Sequence, residues 1–375
     1  MRKYWMIVLC AALLLPRFAA AESKTAKAEL LMPAGSAAVL SEQNASDPLP
    51  VAGLTKLPAI LTLCRAFDTG LIAPDTEMEV SKKASKVSGP TAFLEAGERV
   101  RAEELIKAAV MISAGDAITA LMENAFGSEE VFLNNIGVIL KEAGVDVAME
   151  NSLGTGTLFS CEDLIKLGNA ALSSKTYLDY SGRYMDELPH AGRSDTELVN
   201  ANRMVRSYSG CFGLLTGSSK TDGYCGLFAA KRNDMTYLCA VIGSPTSEAR
   251  FSEATKLFDN AFANYRLETP ATANEPLLTD VPVLYGDQKS VNLVPLETTV
   301  YLMNKADGGI VTQFEVPETL LAPLDPAVSV GTATFYDAGG NCSARCRSIR
   351  TRRSIRTGLR TSSGGFAERI LRAEM

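Results

Sequence analysis

The sequence predicts an α+β fold in which a helical cluster and a mixed sheet are followed by a small all-β domain. Apolar residues recur at helical spacing through much of the first 172 residues, and strand-like runs separated by turns follow residue 205. Beyond a Pro- and Ala-rich stretch at 270–276, short alternating runs continue to residue 335. With 375 residues, the chain is long enough for two domains.

The predicted elements follow from these periodicities in chain order. Residues 30–44 predict an opening strand or hairpin, and the run 129–143 ends at Gly144, a residue that favours a helix C-cap. Helices are predicted over 56–67, 103–113, 116–125, 129–143, 161–172 and 253–265, and strands over 211–216, 223–231 and 236–243.

The N-terminus has the pattern of a secretory signal. Arg2 and Lys3 precede a short apolar run, and Ala19-Ala20-Ala21 precedes Glu22. We expect export, with an extracytoplasmic location at the cell wall or membrane. The predicted domains are a signal at 1–21, a large domain at 22–268, a linker at 269–276, a small β domain at 277–340 and a tail at 341–375.

The net charge of −6 is unevenly distributed. Residues 341–375 hold nine Arg and two Glu, a balance of +7, so residues 1–340 carry −13. Because the tail has almost no core-forming residues, we expect it to be disordered or the product of a shifted reading frame. An apolar stripe of Phe366, Ile370 and Leu371 leaves membrane-surface binding open. An arginine-rich nucleic-acid arm is conceivable, but a nucleic-acid partner is not expected.

The cysteine and histidine pattern argues against a metal site. Eight cysteines are scattered without a C-x-x-C pair, and His190 is the single histidine. Cys10 lies in the signal, so seven cysteines remain, and we expect buried free thiols. No cofactor is predicted.

Three motifs occur in an order that indicates acyl-transfer chemistry. The first is Gly53-x-x-Lys56 at a helix start, and the second is Ser113-Ala114-Gly115-Asp116 between two helices. The third is Gly213-Leu214-Leu215-Thr216-Gly217 on a strand. The first looks like the S-x-x-K helix start of serine acyl-enzymes, in which a lysine one turn on helps deprotonate the serine.

With its flanking residues, the chain resembles the low-molecular-mass penicillin-binding proteins that are D-alanyl-D-alanine carboxypeptidases. The resemblance covers about residues 30–340. The run 50–56 reads P-V-A-G-L-T-K where the family typically has P-x-A-S-L-T-K, and 113–117 and 213–217 match S-x-N-D-A and G-x-K-T-G in part. It implies a β-lactamase/transpeptidase-like domain, with an antiparallel sheet and a helical cluster, followed by a small β domain.

The resemblance also implies three roles that this chain has lost. The acyl-forming serine falls on Gly53. The asparagine that orients the substrate amide and the lysine falls on Gly115. The lysine that attracts the substrate carboxylate falls on Leu215.

Other implied roles are kept. The lysine base falls on Lys56 and the proton-relaying serine on Ser113, while Thr216 and Gly217 of the third motif remain. Arg250 stands where the family often has an arginine before its last helix. A purely structural role also stays open for Ser113, whose hydroxyl would then do no more than cap the following helix.

Other residues offer little to replace the lost serine. None of the lysines has a serine three positions before it. On a helix, the side chain of Thr55 would point about 100° away from that of position 53. Lys220 could approach the site from a following turn. Ser290-x-Asn292 lies in the predicted β domain, and His190 is expected to be a surface or packing residue.

Two main hypotheses follow, because losing a hydrolase nucleophile costs on the order of 10⁶ in turnover. In the first, the protein is an inactive member of this class that binds peptidoglycan stem peptides ending in D-Ala-D-Ala, binds a cell-wall partner, or is a decaying gene product. In the second, it remains a carboxypeptidase through a rewired site that uses Lys56, Ser113 or Lys220. A weaker third is a surface adhesin that acts through its basic tail.

Overall fold

The computed structural model describes residues 25–340 and 342–356. The predicted signal, Cys10 and the last part of the arginine-rich tail lie outside these residues. The helices are α1 Leu57–Asp68, α2 Ala102–Ile112, α3 Gly115–Phe126, α4 Glu129–Glu142, α5 Cys161–Leu172, α6 Lys175–Ser181, α7 Met204–Ser207 and α8 Ser247–Asn264.

The strands are short in the helical region and longer after it. They are β1 Ala28–Pro33, β2 Ser41–Gln43, β3 Leu49–Pro50, β4 Glu77–Glu79, β5 Arg99–Arg101, β6 Leu158–Phe159, β7 Met185–Leu188, β8 Thr196–Val199, β9 Cys211–Ser219, β10 Gly223–Arg232, β11 Met235–Ser244, β12 Tyr265–Ala271, β13 Leu278–Leu284, β14 Ser290–Pro295, β15 Thr299–Asn304, β16 Val311–Glu315, β17 Leu320–Leu321, β18 Gly331–Tyr336 and β19 Cys342–Thr351.

A five-stranded sheet has the order β2-β1-β11-β10-β9. Tight turns join β9, β10 and β11, so these neighbours run antiparallel, as predicted. The middle of β10 and nearly all of β11 are buried, which explains why both strands read as continuous apolar runs rather than alternating ones. β9 lies at the edge of the sheet.

Helix α1 lies at the centre of the helical cluster. It contacts α2, α3, α4, α5 and α6, and residues Leu57 to Cys64 are all buried. Pro58 fits in its first turn because the N–H that proline lacks would be unpaired there. This buried helix gives Lys56, the residue just before it, a rigid support.

By its contacts the chain divides into two units. One contains residues 41–229 and 238–255 with the first strand as far as Leu31, and the other contains 32–40, 230–237 and the chain from Lys256 onward. In the second unit, a six-stranded sheet of order β16-β18-β19-β14-β13-β17 encloses a core that includes Leu293, Phe335 and Ile349.

Two sequence predictions are wrong in detail. The arginine-rich segment was expected to be unstructured from 341, but β19 pairs with β14 and β18, and Ile349, Thr351 and Ile355 are buried. The apolar residues of this segment are spaced apart among arginines, so its high charge predicts disorder although these residues contact the core. The last helix of the first domain begins at Ser247 rather than 253, so Arg250 lies in its first turn.

Candidate active site

Gly53 lies in a 3-10 helix, Ala52–Lys56, that leads directly into α1. Ala52 has a φ of 49°, a left-handed backbone that is strained for a residue with a side chain and is typical of functional sites. A Cβ atom on Gly53 would meet one atom, the Cα of Gly217, at an ordinary contact distance of 3.6 Å. The turn therefore has room for a side chain that glycine does not supply.

Lys56 is buried, with 7% of its surface exposed. Its Nζ donates a hydrogen bond of 2.8 Å to the main-chain carbonyl of Ser113. Burial lowers the pKa of Lys56 from 10.5 to about 8, and the charge of Asp116 opposes part of that shift. The amine thus has a substantial neutral fraction near pH 8, as a general base requires.

Ser113 connects α2 to α3 in a left-handed conformation, with φ 55° and ψ 38°. It does not cap α3, because Ala114 occupies the N-cap position without a side-chain bond. Its hydroxyl Oγ is buried and has no hydrogen-bond partner among the described residues. The backbone of Ser113 holds the lysine while its side chain stays unengaged.

Gly115 begins α3, and the place of a side chain there is already filled. A Cβ on Gly115 would lie 2.6 Å from Cγ1 of Val87 and 3.5 Å from Nζ of Lys56. A distance below 3.0 Å to a stiff β-branched side chain requires movement of the neighbour. Val87 therefore occupies the space into which a longer residue at 115 would project.

Asp116 fixes the loop that follows Val87. Its carboxylate accepts hydrogen bonds from the backbone N–H groups of Ala92, Leu94 and Ala117 at 2.9 to 3.1 Å. A buried carboxylate in the first turn of a helix is also favoured by the helix dipole. This anchor explains why the loop residues near Ala92 have a defined place beside the site.

The third motif lies on edge strand β9, next to the first. Leu215 is buried, whereas Thr216 and Gly217 are partly exposed. A Cβ on Gly217 would lie 2.5 Å from the backbone N of Gly53, so the two backbones approach more closely than any other residue type permits. Strand end and helix start are thus packed backbone to backbone.

Arg250 supports this strand end from α8. It is 4% exposed, and its Nη1 donates to the carbonyls of Gly217 at 3.1 Å and Cys225 at 2.9 Å. Burial lowers its pKa to about 10, and its Nε has no partner among the described residues. A buried guanidinium that keeps an unused N–H favours an anionic group nearby.

These elements line one cleft of about 1210 Å³. Of the residues predicted from the sequence, it brings together Gly53, Lys56, Ser113, Leu215, Thr216, Gly217 and Arg250. Gly115 is not part of the lining, in keeping with Val87 standing in front of it. The described residues contain no group of three His, Cys, Asp or Glu arranged to hold a metal ion.

Alternative residues are not placed for the lost role. The Thr55 hydroxyl donates to the carbonyl of Leu153 at 3.0 Å, so it is engaged elsewhere. Lys220 is exposed in the β9–β10 turn and does not line the cleft, while Ser290 and Asn292 belong to β14 of the second unit. His190 is buried and does not lie on the surface, and its ring is hydrogen-bonded to Glu98 and Thr196.

The same cleft is also lined by Val87 and the basic residues Lys83 and Lys86, none of which is among the predicted site residues. Lys83 forms an ion pair of 2.9 Å with Glu129, and Lys86 is exposed. No motif surrounds these residues. Only the fold, which brings the segment 83–93 against the start of α3, reveals their place.

Among the described residues, no helix is both long enough and apolar enough to cross a bilayer. The five cysteines Cys64, Cys161, Cys211, Cys225 and Cys239 are buried free thiols, as predicted.

Comparisons with known proteins agree with this architecture. A family model described as D-alanyl-D-alanine carboxypeptidase matches residues 17–246, and one described as the C-terminal domain of penicillin-binding protein 5 matches 265–345. The chain is 28% identical to the D-alanyl-D-alanine carboxypeptidase DacF of Bacillus subtilis, over 84% of this chain and 82% of the relative. It is 27% identical to DacC of Escherichia coli, over 87% and 83% of the two chains.

Solved structures show the same fold. Penicillin-binding protein 5 from Haemophilus influenzae superposes with a TM-score of 0.74 at 20% identity, covering 88% of this chain and 98% of that one. The carboxypeptidase DacD from Francisella tularensis has a TM-score of 0.73 at 18% identity, covering 95% and 98%.

Proposed function

Because the chain belongs to the D-alanyl-D-alanine carboxypeptidase family, we propose that it keeps the family's cleft for stem peptides but no longer hydrolyses them. Its relatives associate it with penicillin-binding proteins of peptidoglycan metabolism. The proposed ligand is a peptide ending in D-Ala-D-Ala, bound outside the cytoplasm after export.

One observation carries the proposal of inactivity: the residue facing Lys56 from the first turn is a glycine. Gly53 has no atom that can form an ester, and the nearby Thr55 hydroxyl is bonded to Leu153. Losing the nucleophile of a serine hydrolase costs on the order of 10⁶ in turnover. Gly115 and Leu215 remove two further polar contacts, so a single back-substitution would not complete the site.

Binding depends on groups that remain. β9 is an edge strand beside the cleft, so an extended peptide can pair with its backbone whatever the side chain at position 215 is. Arg250 lines the same cleft and has an Nε without a partner among the described residues. We propose that this guanidinium attracts the peptide's terminal carboxylate.

Calorimetric titration with a short peptide ending in D-Ala-D-Ala tests this proposal. We expect saturable binding that weakens at least tenfold when the terminal carboxylate is replaced by an amide, since a charged hydrogen bond contributes about 1.5–3 kcal/mol. Arg250→Lys keeps the charge but not the planar fork, and it should reduce the difference between acid and amide. Equal affinity for acid and amide would contradict the proposed role of Arg250, and no binding of either would contradict the ligand.

A residually active enzyme is the second candidate, and the lowered pKa of Lys56 is the observation that favours it. A neutral amine beside Ser113 is suited to proton transfer, although no assigned nucleophile accompanies it. Release of D-alanine from a pentapeptide is the assay. A rate above that of the Lys56→Ala variant would support this candidate, and equal rates would end it.

A further inference from the structure

A second group of polar side chains lies on the wall of the same cleft, separate from the three motifs. Thr196, the first residue of β8, lines the cleft. Its Oγ1 lies 2.8 Å from Nε2 of His190, and Nδ1 of His190 lies 2.5 Å from Oε1 of Glu98. Hydroxyl, imidazole and carboxylate are thus joined in one row, which is the arrangement that activates a hydroxyl nucleophile.

The carboxylate end of this row is held in place. The second oxygen of Glu98 accepts the backbone N–H of Glu95 at 2.9 Å and Nη2 of Arg193 at 3.0 Å. Burial alone would raise the pKa of Glu98, but these hydrogen bonds and the one from His190 lower it below its usual value. Glu98 is therefore ionised and able to orient the ring.

The contact with Glu98 favours the tautomer of the histidine ring that carries its proton on Nδ1. Nη2 of Arg193 lies 2.6 Å from Nδ1 of His190, but its two hydrogens have acceptors in Glu98 and in the carbonyl of Phe93, the latter at 2.6 Å. Nδ1 can contact the Glu98 carboxylate only as a donor. In the neutral ring Nε2 then carries a lone pair that faces the Thr196 hydroxyl, as a general base must.

Burial separates the two ends of the row. The His190 side chain is fully buried and that of Glu98 is 7% exposed, whereas Thr196 is partly exposed. Of the three residues, Thr196 is the one that lines the cleft. The alternative partner of that hydroxyl is the carbonyl of Ala92 at 3.2 Å, which a purely structural hydrogen-bond network would use.

We propose that Thr196, His190 and Glu98 form a nucleophilic centre that is acylated by small carboxylic esters. Thr196 Oγ1 attacks the ester carbonyl while Nε2 of His190 takes the hydroxyl proton. The bond to the leaving alcohol breaks, and the alcohol departs with that proton. Water, deprotonated by the same nitrogen, then attacks the acyl carbonyl; the bond to Oγ1 of Thr196 breaks, Nε2 returns the proton to that oxygen, and the free acid leaves. This centre depends on neither Lys56 nor the proposed peptide binding.

The experiment measures p-nitrophenyl acetate hydrolysis by the full chain and maps acetylated residues by mass spectrometry. We expect acetyl-threonine at position 196, and a loss of about 10²-fold or more in rate for Thr196→Val and His190→Gln, the usual contribution of a general base. Thr196→Ser, with a less hindered hydroxyl, should retain or exceed the wild-type rate. Thr69→Val alters an exposed threonine that does not line this cleft, and it should leave the rate unchanged.

The variants separate catalysis from folding. Valine has nearly the shape of threonine, so Thr196→Val should fold, which thermal unfolding verifies. If His190→Gln fails to fold, the Val and Ser variants at position 196 still decide the question. Unchanged hydrolysis in Thr196→Val, or acetylation mapped to other residues alone, would overturn the proposal and leave the row as a structural network.

Discussion

Returning a serine to the first motif is expected to restore covalent chemistry in part. A Cβ at position 53 meets only the Cα of Gly217 at 3.6 Å, and the glycine does not use the left-handed backbone that excludes other residues. The Cβ of Gly53→Ser therefore fits without moving its neighbours. Lys56, with its pKa of about 8, lies one helical turn away to take the hydroxyl proton.

The restored reaction should nevertheless be slow. Losing the nucleophile lowers turnover by about 10⁶, which corresponds to roughly 8 kcal/mol of activation free energy. Two polar contacts are still missing at Gly115 and Leu215, and each costs on the order of 10²–10³ if it resembles a single oxyanion-hole donor. A combined loss of at least about 10⁴ turns a step that a complete site finishes in a second into one that takes hours.

Overnight incubation with a fluorescent penicillin, followed by a denaturing gel and peptide mapping, is the assay. We expect Gly53→Ser to carry a covalent adduct at position 53, and neither Gly53→Ala nor Gly53→Ser combined with Lys56→Met to do so. A folded Gly53→Ser protein that stays unlabelled overnight would refute the inference that Lys56 is poised to act as a base.

Three further predictions concern stability, each measured by urea unfolding. The unfolded chain binds more protons than the fold between the Lys56 pKa of about 8 and the ordinary 10.5, so wild-type stability rises with pH across this window. Lys56→Met should therefore raise the free energy of unfolding by about 2 kcal/mol at pH 7, which is roughly 3 kcal/mol from the pKa shift less about 1 kcal/mol for the lost hydrogen bond. A gain that does not shrink towards pH 10.5 would contradict this. Gly115→Asn should lower the free energy of unfolding by about 1–3 kcal/mol, because the new side chain overlaps with Val87. Val87→Ala should relieve that overlap and restore stability. A Gly115→Asn variant as stable as wild type would show that Val87 does not fill the space beside position 115. Arg250→Met should cost about 2–4 kcal/mol by leaving the carbonyls of Gly217 and Cys225 unpaired, whereas an unchanged midpoint would mean that they find other donors.

The long helices and the β9–β11 meander were predictable because their apolar periodicity is strong. The helices α1 to α5 lie close to the predicted ranges. The short helices α6 and α7 and the β7–β8 hairpin were not predicted, since four to seven residues contain too few repeats to define a period. The His190 row depends on that hairpin, so its geometry was not accessible from the sequence.

The site itself was predictable as far as its motifs extend. Six residues of the three motifs line one cleft, together with Arg250, which only the family resemblance indicated. The contact between Val87 and Gly115 was not, because it joins residues 28 positions apart through a loop that Asp116 anchors. Such a contact has no local signature.

The proposal to test is that this fold keeps the cleft and has lost the acyl-enzyme. Its most direct test is labelling of the purified wild-type protein with a fluorescent penicillin, beside a family member that has the serine. We expect no label on any residue of the three motifs after boiling in detergent, because Gly53 can form no ester. A stable adduct mapped to any residue of the three motifs would contradict it.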